Sequence, residues 1–280
     1  MSVAKRLDLI EKTAGYLDVV INNPPTNMFD PWMFAELNVL AERMAKDENL
    51  RIVVFESADP DFFMNHHDVV HRLEVPDVPG AQSFFFHWPY FVEKLVHLPV
   101  LSVAKVRGRA RAQGFEFALA CDMRFASREK ALFSLVEAAS SSIPGGGGIE
   151  WLTRLCGRAR TMEIVCSADD YDAETGQLYG FVNRALPDAE LDKFVDDFAT
   201  RIAGFDKKII AACKKSVNEA SNIPSLGELL ASNHQLYEVD YNWPKPEGAF
   251  EKIMAAGLGQ KGKFELDLPQ EVLKLNLSGK

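Results

Sequence analysis

Two glutamates stand in apolar settings, Glu116 within "QGFEFALAC" and Glu137 within "FSLVEAAS". A carboxylate withdrawn from water is costly unless it is paired or hydrogen-bonded. Such positions recur where chemistry needs a shifted pKa. Two of them near one water can divide the acid and base roles. One capped or salt-bridged glutamate at each place is the plainer alternative, and their separation along the chain leaves both readings open.

A second cluster is "FFMNHHDVVH" (residues 62–71), which holds three of the six histidines. His67 and His71 are four apart and can share a helix face, but zinc would need a third ligand such as His66 or Asp68. Adjacent His66 and His67 point in different directions on a helix or a strand, which weighs against a metal. An acyltransferase pattern, HHxxxD, is broken because His71 takes the sixth position. "PGGGG" (residues 144–148) precedes a helical pattern. Glycines let backbone amides approach a ligand, and a helix N-terminus favours negative charge. The run is neither GxGxxG nor GxxxxGK[ST], so a tight turn into a helix explains it as well as a phosphate site does. "RGRARAQG" (residues 107–114) spaces three arginines by two. Extended, they would share one side and could meet a carboxylate or phosphate. A solvated strand end is the preferred reading.

The elements that must position these residues alternate between strand and helix as far as Leu186. Strand patterns cover residues 16–22, 51–57, 100–106, 123–126, 131–135 and 182–186. A helix is expected after Asp30, a good N-cap, with Pro31 in the first position and Met33, Leu37, Leu40, Ala41 and Met44 on one face. A short helix is expected over residues 113–120, and another from the glycine run to Gly157, a C-cap glycine. After Asp188 the pattern turns helical: Leu191, Phe194, Val195, Phe198 and Ile202 line one face, and "KKIIAACKKSVNEAS" and "SLGELLASNHQLYEV" continue it. The expected division is residues 1–205 as an α/β core and residues 206–280 as a helical region. The polar last stretch, from Gly257, is read as an extension of the core fold.

The 280 residues are 47% hydrophobic and 25% charged, an ordinary globular balance. A formal net charge of -9 disfavours nucleic acid as a partner. No apolar run is long enough for a signal peptide or a membrane span, so a cytoplasmic location and no membrane partner are expected. Cys121, Cys156, Cys166 and Cys213 form no CxxC pair and are read as reduced core residues.

Taken in order, five segments resemble the crotonase (enoyl-CoA hydratase/isomerase) superfamily, from about Val19 to Asn218. "NNPPTNMF" resembles that family's "NRPPxNAL", and "DPDFFMNHHDV" stands where it has "xxxFCAGADL". "LPVLSVAKVRGRARAQGFEFALACDMRFAS" resembles "KPVIAAVNGxAxGGGxELALACDxRIAA". "ALFSLVEAASSSIPGGGGIEWLTRLCG" and "SADDYDAETGQLYGFVNRALP" follow at suitable intervals. The resemblance implies an α/β fold, a crotonase-like spiral of ββα units with a C-terminal helical oligomerisation region. It implies an acyl-CoA thioester substrate, no cofactor beyond the coenzyme A that substrate carries, and a homotrimer or hexamer. In the family two backbone N–H groups hold the thioester oxygen as it becomes an enolate. Residue by residue they fall on His67 and Gln113, and the hydratase carboxylates fall on Glu116 and Glu137. Pro25, Met28, Asn65, His66, Asp68, Pro144 and Gly145 occupy the remaining substrate-binding positions, and no metal is implied.

The departures are specific. Ala112 and Gln113 replace glycines, and a side chain at Gln113 is expected to narrow the backbone choices of its amide. Val136 replaces a proline, His66 and His67 replace a Gly–Ala pair, and Arg109 and Arg111 stand where small or apolar residues are usual. A more polar, more crowded acyl pocket is expected. The resemblance therefore implies a hydratase-like enzyme first. Isomerase, decarboxylase or C–C hydrolase chemistry, or a non-catalytic binding protein, are the alternatives.

Overall fold

The computed structural model describes residues 5–278. Its first two strands, β1 (Leu7–Thr13) and β2 (Tyr16–Ile21), form an antiparallel hairpin. α1 (Pro31–Lys46) follows, and Asp30 caps it by accepting from the Met33 N–H at 2.7 Å, as expected. β3 (Ile52–Ser57), β4 (Phe62–Met64) and α2 (Phe84–His97) make the first full ββα unit. β5 (Leu101–Val106), β6 (Arg109–Arg111) and α3 (Gln113–Ala120) make the second. β7 (Met123–Ser127) and β8 (Leu132–Ser134) lead through a 3-10 turn, Glu137–Ser140, into α4 (Gly148–Ser167). β9 (Tyr171–Asp172), α5 (Ala173–Tyr179) and β10 (Arg184–Leu186) close the spiral.

Each unit gives its long strand to one sheet and its short strand to another. The six-stranded sheet runs β1-β2-β3-β5-β7-β10, parallel from β2 onwards. The four-stranded sheet runs β4-β6-β8-β9. Parallel strands are covered on both faces, so they are largely apolar. Alternate residues show it: Val53 and Phe55 point into the main core, whereas Ile52 and Val54 meet Leu191, Val195 and Ala199. Those three lie on α6 (Asp188–Ala203), which covers the outer face of the sheet.

The helical region continues with α7 (Lys207–Ser221) and α8 (Leu226–Asn242). α9 (Ala249–Ala256), α10 (Lys263–Leu266) and α11 (Leu268–Ser278) then return to the core. Ile253, Leu268 and Val272 form a small buried cluster with Ala112 and Val136. The polar tail is thus a set of helices docked through a few inward apolar residues, while Phe250, Leu273 and Leu277 stay exposed.

Four expectations need correction. α4 breaks at Gly157, where φ is 78° and ψ 165°, but the helix resumes beyond it. The last strand starts at Arg184 rather than at residue 182, because Val182 belongs to the turn that buries it beside Phe181. Only Cys121 is buried among the four free cysteines; Cys166 and Cys213 are exposed. The three arginines are not a solvated strand end. Arg107 pairs with Asp188 at 2.8 Å, and Arg111 is fully buried against Asp170 and the Glu265 and Leu266 carbonyls. Arg109 Nε donates to the Leu266 carbonyl at 2.7 Å.

Candidate active site

α3 begins where β6 ends, and the turn between them is tight. Ala112 sits at φ 47° and ψ −117°, a region that costs a non-glycine residue about 1–3 kcal/mol. The constraint thus lies one residue before Gln113, which is itself helical and free of it. Gly114 is indispensable here, since a Cβ would stand 1.8 Å from the Met64 carbonyl oxygen. That closeness presses the loop after β4 against the start of α3.

The backbone amides at this contact alternate in use. Ala112 N–H donates to Ser134 O at 2.8 Å, and Gly114 N–H to Asn65 O at 3.1 Å. Phe29 N–H donates to His66 O at 3.0 Å, and Asp68 N–H to Phe29 O at 2.8 Å. The N–H groups of His67 and Gln113, which fall between them, meet no acceptor among the described residues. As the first residue of α3, Gln113 has no intrahelical acceptor to use.

Glu116 lies in the first turn of α3 and is buried. Its Oε1 accepts from the Gly146 N–H at 2.8 Å and the Gly148 N–H at 3.1 Å. The glycine run therefore cradles a carboxylate of the chain itself. A Cβ on Gly146 would stand 2.2 Å from Glu116 Oε2 and 2.8 Å from Trp88 Nε1. Trp88, from α2, fixes the same glycine by donating to its carbonyl at 2.9 Å. Burial raises the Glu116 carboxyl to about 7, against the lowering effect of the two amides. Glu137 opens the 3-10 turn, and its Oε2 is buried without a partner. Burial first, and then the Glu116 charge, hold the Glu137 carboxyl well above its ordinary value. Two carboxyls in such contact titrate as a pair.

The three histidines go to three different places. His71 Nδ1 meets Asp68 Oδ2 at 2.6 Å, near the surface. His66 is buried: its Nε2 meets Glu265 Oε1 at 3.0 Å and its Nδ1 meets the His67 carbonyl at 2.9 Å. Both nitrogens face acceptors, which suits the imidazolium. Burial works against that charge, but the Glu265 carboxylate overcomes it and leaves His66 above its ordinary pKa. His67 is the reverse. Burial, then the charges of His66 and Arg72, push it down to about 4, and its Nε2 is buried without a partner beside the Phe84 and Phe85 rings.

A cavity of about 380 Å³ opens on these groups. His66, His67, Ala112, Val136 and Glu137 line its inner side, and Ile253, Leu258, Leu268 and Val272 line the other. Arg72, Asp240 and Lys245 also reach it. Of the residues expected at the site, the structure brings Glu137, His66 and His67 to the cavity wall. Glu116 and Gln113 are buried and do not line it. Asn65 is fully buried and spends its Nδ2 on Glu265, and Asp68 caps the following turn through the Val70 N–H. Met28 lies against Gly259, and Gly145, next to buried Pro144, lies under Leu236 of α8. Pro25 is exposed and follows a cis peptide bond. None of these last six lines the cavity.

Arg109 and Arg111 also leave the pocket free, contrary to the expected crowding, because both are turned toward the carbonyls of the C-terminal segment. That segment and Glu265 were not foreseen. A weaker signal was available: "KFELDL" sets Glu265 between Phe264 and Leu266, as Glu116 stands between Phe115 and Phe117, but Lys263 and Asp267 flank it.

A ββα spiral that ends in a helical C-terminal region is the crotonase fold, and the chain is a member of the crotonase superfamily. Within it the chain belongs to the enoyl-CoA hydratase/isomerase family, whose model matches residues 11–244. A chain from Streptomyces avermitilis assigned as an enoyl-CoA hydratase is 35% identical, covers 97% of this chain and 98% of its own length, and superposes with a TM-score of 0.87. The mitochondrial enoyl-CoA hydratase of Pongo abelii is 30% identical over 205 residues, 72% of this chain and 68% of that protein. An enoyl-CoA hydratase from Mycobacterium avium subsp. paratuberculosis shares the fold at 23% identity, with a TM-score of 0.77 over 89% of this chain and 100% of its own.

Proposed function

We propose that the chain is an enoyl-CoA hydratase-like enzyme acting on an acyl-CoA thioester. The observation that carries the reading is one juxtaposition. Two N–H groups without an acceptor among the described residues, on His67 and Gln113, share a cavity wall and a helix turn with two buried carboxyls whose pKa values are raised. The thioester oxygen accepts from both amides, which stabilise it as negative charge develops on the enolate. In this reading Glu116, which accepts from two backbone N–H groups, is the ionised member, and Glu137, without such donors, carries the proton. Glu116 Oε2 takes a proton from water as the water oxygen bonds to the β carbon. Glu137 delivers its proton to the α carbon as the enolate collapses. The pair keeps one proton throughout, and no cofactor beyond the coenzyme A of the substrate is needed. The neutral His67 ring sits beside the acyl group without taking up charge.

One observation favours a second reading. Of the two glutamates only Glu137 lines the cavity. A single base there suits isomerisation, decarboxylation or C–C hydrolysis through the same enolate. Incubation with crotonyl-CoA, followed at the absorbance of its conjugated double bond, decides between them. Loss of absorbance with addition of one water by mass supports the hydratase. Tight binding without hydration moves the assignment to the one-base group. Neither binding nor turnover with any acyl-CoA leaves the non-catalytic alternative. The active form is proposed to be a homotrimer or hexamer.

A further inference from the structure

Glu265 is fully buried on a four-residue helix of the C-terminal segment, and one of its carboxylate oxygens reaches back to the loop beside the site. Oε1 accepts from Asn65 Nδ2 at 2.7 Å and from His66 Nε2 at 3.0 Å, and Oε2 accepts from the Gly259 N–H at 2.6 Å. The backbone of the same segment is held independently. Arg111 donates to the Glu265 and Leu266 carbonyls, and Arg109 donates to the Leu266 carbonyl. A buried ion pair adds little stability over an apolar contact of the same shape. Its better-attested use is to fix a geometry, and here the geometry is that of one peptide unit.

His67 N–H lies in the peptide plane that carries the His66 carbonyl. That carbonyl is held by Phe29 N–H, so the direction of the trans N–H is set. The next carbonyl, of His67, is held by His66 Nδ1 at 2.9 Å. The other nitrogen of the His66 ring is anchored by Glu265, which holds the ring in the orientation that makes this contact. Asn65, on the other side, is anchored by the same oxygen. We propose that Glu265 is a positioning residue. Through His66 and Asn65 it aligns the His67 N–H, and by the same contacts it fastens the chain's own C-terminal segment as the outer wall of the acyl cavity. Ile253, Leu258, Leu268 and Val272 are the wall so fastened. This accounts for His66, Arg109 and Arg111, three residues that stand where the resemblance expects small or apolar ones. The catalytic half of the proposal rests on the reading of His67 N–H as an oxyanion donor.

The test compares wild type, Glu265→Ala, Glu265→Gln, His66→Ala and the Glu265→Ala/His66→Ala double variant. The probes are straight-chain 2-enoyl-CoAs of increasing length and acetoacetyl-CoA, whose enolate absorbs in the near ultraviolet. Glu265→Ala is expected to lower kcat by roughly 10–100-fold, short of the 10²–10³ for outright loss of an oxyanion donor. KM for the short substrate should move far less, and discrimination by acyl length should relax. Glu265→Gln, which keeps the shape and one acceptor, should recover much of the rate. Losses at Glu265 and His66 should not add. Unchanged kcat per folded molecule, an unchanged length profile, or additive losses would overturn the proposal. Hydrogen exchange gives a second readout that needs no turnover and serves also if Glu265→Ala folds poorly, because Arg109→Met loosens the same segment without removing a buried charge. Either variant should speed exchange across residues 65–68 and 249–278 together. Fast exchange in the tail with none in the loop sinks the positioning role. Wild type that binds no thioester, with coupled exchange intact, sinks the functional reading and leaves the latch standing.

Discussion

Chemistry at the residue scale turns on the Glu116–Glu137 pair. Both were legible in the sequence because each is a charge among apolar neighbours, a local property. What the sequence does not carry is the cradle: Gly146 and Gly148 meet Glu116 only after α3 and α4 pack together. If the pair handles one water, Glu116→Gln and Glu137→Gln should each lower kcat by roughly 10²–10⁴-fold. The double variant should be little worse than the poorer single one. A severe loss at Glu137 alone would favour the one-base reading. The pH dependence has a definite sign. Glu116 is raised from 4.5 to about 7 by burial. The folded chain therefore keeps a proton that the unfolded chain releases, so stability should fall as pH rises through that interval and level off above it. Urea unfolding on either side of the interval measures it, and Glu116→Gln should flatten the difference. For activity the competent pair holds one proton, so kcat/KM should decline on both sides of its optimum.

At the scale of elements, the turn from β6 into α3 is the most constrained piece of backbone near the site. The sequence drew attention to Gln113 because glycines were expected there. The strain falls on Ala112 instead, since the residue before a helix turns the chain and the first helical residue does not. Ala112→Gly should remove strain of about 1–3 kcal/mol, less about 0.4–1 kcal/mol for the added freedom of the unfolded chain. A denaturation midpoint that rises with unchanged slope, with kcat retained, is the expected result. Ala112→Val, β-branched at positive φ, should do the opposite and lower kcat by displacing the Gln113 amide. A destabilised glycine variant would show that the Ala112 methyl, buried against Val136 and Ile253, matters more than the turn. Other elements were legible to different degrees. The buried strands of the parallel sheet and the capped helix α1 declared themselves by β-branched runs and by Asp30–Pro31. Helix α2 did not, because "FFFHWPYFVEKLVH" is apolar on most sides and carries Pro89 inside it. The last three helices did not either, since their few inward residues are spaced among many exposed charges, and the arginines of β6, Glu265 and the cluster on Ala112 and Val136 fix where they dock.

For the whole molecule, the surface left after folding shows which apolar residues the chain itself does not cover. The sequence pointed to α8, but much of its stripe is used internally: Leu229 and Val239 are buried, Leu236 lies on Gly145, and Tyr237 meets the Phe85 ring at 5.3 Å. α7 is different. Its buried residue is Lys214, whose ammonium meets Asp122 at 2.9 Å and the Val100 carbonyl at 3.0 Å. On its outer side Ile209 and Val217 are each 61% exposed, with exposed Cys213 between them at helical spacing. An exposed apolar face of this kind suits a contact with another copy. With the proposed trimer or hexamer, that face is covered by a neighbouring copy. Light scattering of the purified chain should then give a multiple of the monomer mass, and Ile209→Lys with Val217→Glu should lower it. Thiol titration adds an independent check. Cys166 and Cys213 are both exposed in the single chain, so a native assembly that covers α7 should react quickly at Cys166 only, and the charged variant at both. A stable monomer at micromolar concentration, reactive at both thiols, would rule the assembly out and leave α7 without a partner.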